Sequence, residues 1–336
     1  MSTVHFLNVL EGDCNIIEHK DSDRVTVMDV CNADSDNIYE NAELRKAFSE
    51  DLSDSVTGNF GQKKHPENPI DYFNNLGISK IWRFIVSHPD MDHLDGIRDL
   101  FKDLTVYNVW DTANNKEIDD FGGFGKYNEH DWKFYKKLRA ETEPNYNYFK
   151  LDADLNNPGN YWSEDNIKIL CPTKELVDAA NKRGDYNDAS YVLLHTPPIG
   201  TTGKRWKILF GGDSHDDSWE YILENFKDDV EDIDVLLAPH HGRDSDRSYE
   251  FLKTLKPRVT LFGNASSKHL AYDKYPKLKI TNNQAGSIIM ECTDKIYFYV
   301  KNETYRNAYW KMKGWENPPQ KNNRLNAYFL FNIPPQ

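Results

Sequence analysis

Ile81-Trp82-Arg83-Phe84-Ile85-Val86-Ser87-His88-Pro89-Asp90-Met91-Asp92-His93 is the stretch on which the reading of this chain turns. Its first half is a compact, mostly apolar run of the kind that forms a buried strand. Its second half places two imidazoles and two carboxylates within six residues, directly after the strand. Proline disfavours helical backbone at the residue before it, so Pro89 holds His88 extended and lets the loop turn several side chains toward one point. Imidazole nitrogen together with carboxylate oxygen suits Zn²⁺, Mn²⁺ or iron. A helix is expected to begin near His93 and run to about Lys102, with Asp92 and His93 at its mouth, where the helix dipole favours a carboxylate.

Two later segments repeat the arrangement. Trp206 to Phe210 leads into Gly211-Gly212-Asp213, and Val235 to Ala238 leads into Pro239-His240-His241-Gly242. A lone polar loop at a strand end is ordinary and needs no chemical explanation. Three of them, each rich in metal-ligating residues, are expected to meet along one edge of a sheet, as sites in α/β folds do.

The surrounding pattern fits that placement. Val4 to Val9, Cys14 to Glu18 and Arg24 to Val30 read as an opening β-meander. Residues 33–68 form a polar insertion with one short helix expected over Ala42 to Leu52. Asp71 to Leu76 reads as a helix end stopped by Gly77, and Thr105 to Trp110 as a strand. A second insertion, 112–163, carries a helix over Glu129 to Arg139. Beyond it come a strand at Ile167 to Cys171, a helix from Thr173 to Asn181 and a strand at Ser190 to Leu194. A helix over Asp217 to Phe226, another over Tyr249 to Leu255 and a strand at Arg258 to Phe262 follow. A strand pair, Ser287 to Glu291 and Lys295 to Tyr299, closes the core. Strands first, then strand–helix alternation twice over, implies two stacked sheets with helices on the outer faces. This gives an α/β domain over residues 1–301 and an aromatic-rich C-terminal extension over 302–336. The extension reads as a strap on the core in preference to a partner-docking segment.

Composition narrows the function classes. The 336 residues are 38% hydrophobic and 13% aromatic, enough for a large core. With 41 basic and 54 acidic residues the formal charge is -13, which argues against a protein that coats nucleic acid. It leaves room for a nuclease whose metal ions bring positive charge to one point. No apolar run approaches the roughly 20 residues that span a bilayer. The start lacks the basic and apolar stretches of a signal peptide. Cys14, Cys31, Cys171 and Cys292 are scattered through apolar runs as core residues are, so a reducing, cytoplasmic setting is expected.

Asp29, His88-x-Asp90-x-Asp92-His93, Asn187-x-x-Ser190, Gly212-Asp213 and His240-His241-Gly242, in that order, resemble the metallo-β-lactamase superfamily. The branch most resembled is that of the hydrolase domain of the DNA-uptake channel protein ComEC. Phe6-Leu7-Asn8-Val9-Leu10-Glu11-Gly12-Asp13-Cys14 is similar to that branch's usual opening. The resemblance covers about residues 4 to 300 apart from the two insertions, and implies an αββα sandwich with one or two bound ions, Zn²⁺ or Mn²⁺. It implies that His88 and Asp90 hold the first ion and that Asp92 and His93 hold the second. Asp213 would bridge them, with His240, in preference to His241, completing the second site. Asp90 stands where the usual signature has a histidine and Asn187 where a third is usual, which weakens the first position. Asp29 would anchor the loop from behind, and Ser190, His241 and His269 are possible substrate or supporting contacts. His195, although followed by Thr196-Pro197, falls after its strand and is expected to be structural.

A metal-activated water, with Asp92 or Asp213 to orient or deprotonate it, suits phosphodiesters. The branch resembled favours a nucleotide or single-stranded nucleic-acid substrate. Lys63, Lys64 and His65, or Arg243 and Arg247, are candidates for phosphate contacts. Esters, lactones or thioesters are the alternative substrates, since a fold does not choose among them. A second alternative is a metal-stabilised interaction module that binds a protein partner through its insertions or tail.

Overall fold

The architecture follows from where each strand sends its alternate side chains. In the computed structural model, which describes residues 1–33, 60–121, 128–153, 164–265, 270–276 and 278–336, two sheets are stacked face to face. The helix expected over Ala42 to Leu52 and the candidate His269 lie outside the described residues.

The larger sheet is built from β1 (Ser2–Phe6), β2 (Asn15–His19), β3 (Arg24–Met28), β4 (Lys80–Ile85), β5 (Thr105–Asp111), β6 (Asn147–Lys150), β13 (Ile288–Cys292), β14 (Ile296–Val300) and β15 (Tyr328–Ile333). Its order is β15-β14-β13-β1-β2-β3-β4-β5-β6. The smaller sheet holds β7 (Ile167–Cys171), β8 (Val192–His195), β9 (Ile208–Phe210), β10 (Val235–Leu237), β11 (Val259–Phe262) and β12 (Lys279–Thr281), in the order β12-β11-β10-β9-β8-β7. Both are mixed. β3 through β6 pair in parallel in one sheet, and β9 through β12 in the other.

Period-two alternation assigns each side chain to a layer. Ile208 and Phe210, Val235 and Leu237, and Val259 and Leu261 point between the sheets, where they meet Val4, Phe6, Met28 and Ile85. Leu209, Leu236 and Phe262, from the same strands, face outward with Trp219 and Ile222 of the helix Asp216–Asn225. On the far side Val25, Val27, Ile81 and Phe84 pack against α1 (Pro69–Leu76), α2 (Ile97–Asp103) and α3 (Glu129–Arg139). The fold is the α/β sandwich of αββα type expected from the sequence.

Some elements differ from expectation. The helix expected from His93 starts only at Ile97. Met91–His93 form a 3₁₀ turn, and Gly96 stands at φ 86 with its α-carbon face against Ala33. That left-handed turn separates Asp92 and His93 from the helix mouth, so the dipole argument for them falls. Tyr249 to Leu255 shortens to a single turn, Leu252–Leu255. β6, inside the second insertion, carries no alternating apolar signal, its side chains being largely exposed.

The segment after residue 301 is woven into the sandwich. A helix, Glu303–Met312, places Tyr305 and Tyr309 in the inter-sheet core. β15 pairs antiparallel with β14 as the edge of the larger sheet and buries Leu330, Phe331 and Ile333 in that core. No helix among the described residues is long and apolar enough to cross a membrane.

Candidate metal centre

Both parallel stacks end at the same edge of the sandwich, and the polar loops leave from there. β3 delivers Asp29, β4 delivers His88 to His93, β9 delivers Asp213, and β10 delivers His240 and His241. Tyr191 N–H donates to Ser87 carbonyl (3.0 Å), which ties the smaller sheet to the β4 loop at this edge.

Asp213 sits at the middle, almost fully buried, with its two oxygens turned to opposite sides. Oδ1 lies 3.5 Å from His93 Nε2 and 3.8 Å from His241 Nε2, and Asp92 Oδ2 is 3.9 and 3.5 Å from those same nitrogens. Oδ2 faces His88 Nε2 and His240 Nε2, each at 3.7 Å, and Asp90 Oδ2 lies 3.8 Å from His88 Nε2. There is thus a His93 side and a His88 side, sharing Asp213.

The spacing fits an ion. These separations are too long for hydrogen bonds. They match the edge of a coordination tetrahedron, since donors 2.0–2.2 Å from one centre stand roughly 3.3–3.6 Å apart. His88 Nε2, His93 Nε2, His241 Nε2 and Asp213 Oδ1 are all buried polar atoms without a hydrogen-bond partner. Orphaned groups of that kind cost about 1–3 kcal/mol each in a finished fold. Three of them, on His93, His241 and Asp213, meet on the His93 side and call for a cation between them. Two overlapping sets, Asp92–His93–His241 and His88–His93–Asp213, bring their ligand atoms within 4.8 Å of one another.

The histidines on the His93 side are held by carboxylates from behind. Asp29 Oδ2 accepts from His93 Nδ1 (2.8 Å) while its Oδ1 accepts from Ser87 N–H (2.7 Å). Asp13 Oδ1 accepts from His241 Nδ1 (3.1 Å). A carboxylate behind Nδ1 puts the proton there and turns the Nε2 lone pair toward the cluster. Burial works against charge on these two imidazoles, but the carboxylates outweigh it. Asp29, Asp213 and Asp92 raise His93, and Asp13 and Asp213 raise His241. Burial likewise opposes charge on Asp213, and the four histidines hold its carboxyl well below the usual range.

The sequence reading put His240 beside Asp92 and His93. In the structure the atom there is Nε2 of His241, and His240 faces Oδ2 of Asp213 on the other side. Consecutive left-handed residues explain the exchange: His240 has φ 53 and His241 φ 56, so their side chains leave the backbone in different directions. Such conformations cost about 1–3 kcal/mol each and concentrate at functional sites.

Asp29 stands behind the β4 loop. Asn187 opens the 3₁₀ turn Asn187–Ala189, which delivers Ser190, buried, beside Gly212. Of the phosphate-contact candidates, Arg247 is buried beside His240, and Lys63 binds the carbonyl of Ala265. Lys64, His65 and Arg243 are exposed. His195 is buried between the sheets, with Nε2 against Ser2 Oγ (2.9 Å) and Nδ1 against Asn166 carbonyl (3.2 Å), a structural role.

Three site contacts escaped the sequence reading. Asp13 lay within the opening motif, and its distance from His241 in sequence hid the contact. Gly12 presses on the β4 loop: a Cβ there would meet Asp92 carbonyl oxygen at 1.6 Å. Lys116, in the second insertion, pairs with Asp90 Oδ1. A lysine in an Asn- and Asp-rich insertion carries no signal of that kind.

No family model matches the chain, and no curated protein does. Among solved structures, the chain is similar to Igni18, a metallo hydrolase from Ignicoccus hospitalis KIN4/I, at 12% identity and a TM-score of 0.38, over 84% of this chain and 88% of that one. It is similar to the metallo-beta-lactamase fold protein YhfI from Bacillus subtilis, at 10% identity and a TM-score of 0.38, over 86% and 99%. A diphosphatase from the PhnP family matches at 9% identity and a TM-score of 0.37, over 86% and 97%.

Proposed function

We propose that this chain is a metal-dependent hydrolase, with Zn²⁺ or Mn²⁺ as its ion, acting on phosphodiesters of nucleotides or single-stranded nucleic acid. The observation that carries the metal is the set of buried, partnerless donor atoms that converge on His93, His241 and Asp213. Asp92, His93, His241 and Asp213 would hold an ion on the His93 side, and two nitrogens with two carboxylates suit either metal. An ion bound there with a coordination position left beyond these donors would supply an activated water and positive charge against the attacked group.

The chain's own residues supply the rest. Of the two carboxylates on the His93 side, Asp92 has the more exposed side chain, 39% against 4% for Asp213, so its outer oxygen would accept a hydrogen bond from an attacking water and orient it. Asp213 holds the histidines in place. Lys116 and Arg247 flank the His88 side with permanent positive charge in an otherwise acidic protein. That local charge supports an anionic substrate over a neutral ester.

The test is a substrate panel on the metal-loaded protein: bis-p-nitrophenyl phosphate, cyclic nucleotides, single-stranded DNA and p-nitrophenyl acetate. Turnover of the phosphodiesters, abolished by chelation and lowered at least 100-fold in Asp92→Asn, is the expected result. Turnover of the simple ester alone would sink the phosphodiesterase reading.

A further inference from the structure

The two sides of Asp213 are not chemically equivalent. On the His93 side the group behind each imidazole is an acceptor: Asp29 for His93, Asp13 for His241. On the His88 side the group behind His240 is a donor. Arg247 Nη2 lies 3.3 Å from His240 Nδ1. A guanidinium has protons to give and no lone pair to receive one. His240 Nδ1 must therefore accept, which leaves the proton of the neutral ring on Nε2. Nε2 is the atom facing Asp213, and an N–H cannot ligate a metal.

Arg247 is well placed to enforce this. It is buried, 5% exposed, with Nη1 donating to Ser214 carbonyl (2.5 Å) and Nε to Ser245 Oγ (3.0 Å). Among the described residues its three hydrogen bonds go to Ser214, Ser245 and His240, none of them a carboxylate. The other carboxylate on this side, Asp90, is already paired with the ammonium of Lys116. Lys116 is itself 15% exposed and sits over the Tyr186 ring, its nitrogen 5.3 Å from the centroid. A lysine nitrogen thus stands against Asp90 where a second ion would have to bind. Among the described residues His88 and one oxygen of Asp213 remain, and two donors do not make a site.

We infer that the centre is mononuclear, with one ion on the His93 side, and that on the His88 side Lys116 stands in for a second ion while His240 is an Nε2–H donor held in that tautomer by Arg247. The inference rests on the metal-dependent reading above and specifies its site. The His88 side then offers the Lys116 ammonium and the His240 N–H to an anionic oxygen of the substrate.

The experiment is metal uptake by the full chain stripped of divalent ions, titrated with Zn²⁺ or Mn²⁺ by calorimetry and checked by elemental analysis after equilibrium dialysis. The wild type should take up one ion, with any second at least 100-fold weaker. Lys116→Met, which frees Asp90, should strengthen that second binding at least tenfold. His240→Ala should leave affinity for the first ion within about twofold, whereas His241→Ala should weaken it at least 100-fold. In long-range ¹H–¹⁵N spectra of the Zn²⁺-loaded wild type, His240 should show a protonated Nε2. Two ions bound within tenfold of each other, no gain in second binding for a folded Lys116→Met, or equal losses in His240→Ala and His241→Ala would each overturn the inference and leave the hydrolase reading standing. Should Lys116→Met fail to fold, the histidine pair and the spectrum decide. A chain that binds no divalent ion at all would overturn the metal-dependent reading itself.

Discussion

Substituting Gly12 by Ala tests how the metal loop is positioned. The loop between β1 and β2 lies so close to the β4 loop that a Cβ on residue 12 would stand 1.6 Å from Asp92 carbonyl oxygen, 2.6 Å from its carbonyl carbon and 2.9 Å from Cys31 Cβ. None of these is the end of a flexible side chain. Asp13 N–H also donates to the same carbonyl (3.3 Å), so the two loops are stitched where the methyl would enter. To restore ordinary contact in a close-packed interior the Asp92 backbone has to retreat by roughly 1.5 Å. Metal sites tolerate ligand displacements of about 0.2 Å. Asp92 and His93 ride on this backbone, so divalent-ion affinity should fall at least 100-fold, more than the 10- to 100-fold typical of losing one supporting hydrogen bond. Overpacking should also lower stability by about 1–3 kcal/mol. Gly77→Ala is the control: it caps a helix with nothing within 4 Å of the added carbon, so it loses only its left-handed conformation. Affinity is measured by competition with a chromophoric chelator, and stability by urea denaturation of the metal-free forms. If Gly12→Ala binds the ion within threefold of wild type, the β1–β2 loop does not set the ligand geometry.

Asp13→Ala removes the acceptor behind His241 and should lower metal affinity 10- to 100-fold, with Asp13→Asn recovering most of it because an amide oxygen still accepts from Nδ1; equal affinities for wild type and Asp13→Ala in the same competition assay would remove that role. Burial lowers His195 to about 4, with Asn166 carbonyl and Asp165 pulling the other way. Between pH 6.5 and 4 the unfolded chain therefore takes up a proton that the folded one refuses, so stability is full above about pH 6.5 and is lost as pH falls. The loss from this one group is on the order of 3 kcal/mol. His195→Gln should flatten the urea-midpoint profile over that range by comparison with wild type, and parallel profiles would refute the assignment. Loading a site at 1,000 times its dissociation constant stabilises the fold by about 4 kcal/mol, or about 6 °C in Tm for a chain this long. A chelator should reverse the shift in a thermal scan, and a Tm indifferent to metal would count against the centre.

The region around His88 was legible because local chemistry declares itself there. An apolar strand, a proline that forbids helix, and four ligating side chains in six residues need no distant information. The strands that lead into Asp213 and His240 were equally readable as short apolar runs. The pairing of Asp13 with His241 spans 228 residues, and that of Lys116 with Asp90 starts from an insertion without pattern. Neither leaves a mark on its own neighbourhood. The C-terminal residues read as an aromatic strap because Tyr328–Ile333 carries no clean apolar–polar alternation of its own, and its pairing to β14 supplies what that pattern lacks.

What the sequence determined by itself is the edge at which a site forms, since strand ends and loop composition are local properties. Which histidine faces which oxygen of Asp213 was decided only in three dimensions. His240 and His241 are adjacent and chemically identical, and two left-handed backbone conformations send them to opposite sides of one carboxylate. An acid from one strand end waits behind the second, and a buried guanidinium behind the first. Proton placement on an imidazole depends on the partner behind it, and only the tertiary structure chooses that partner.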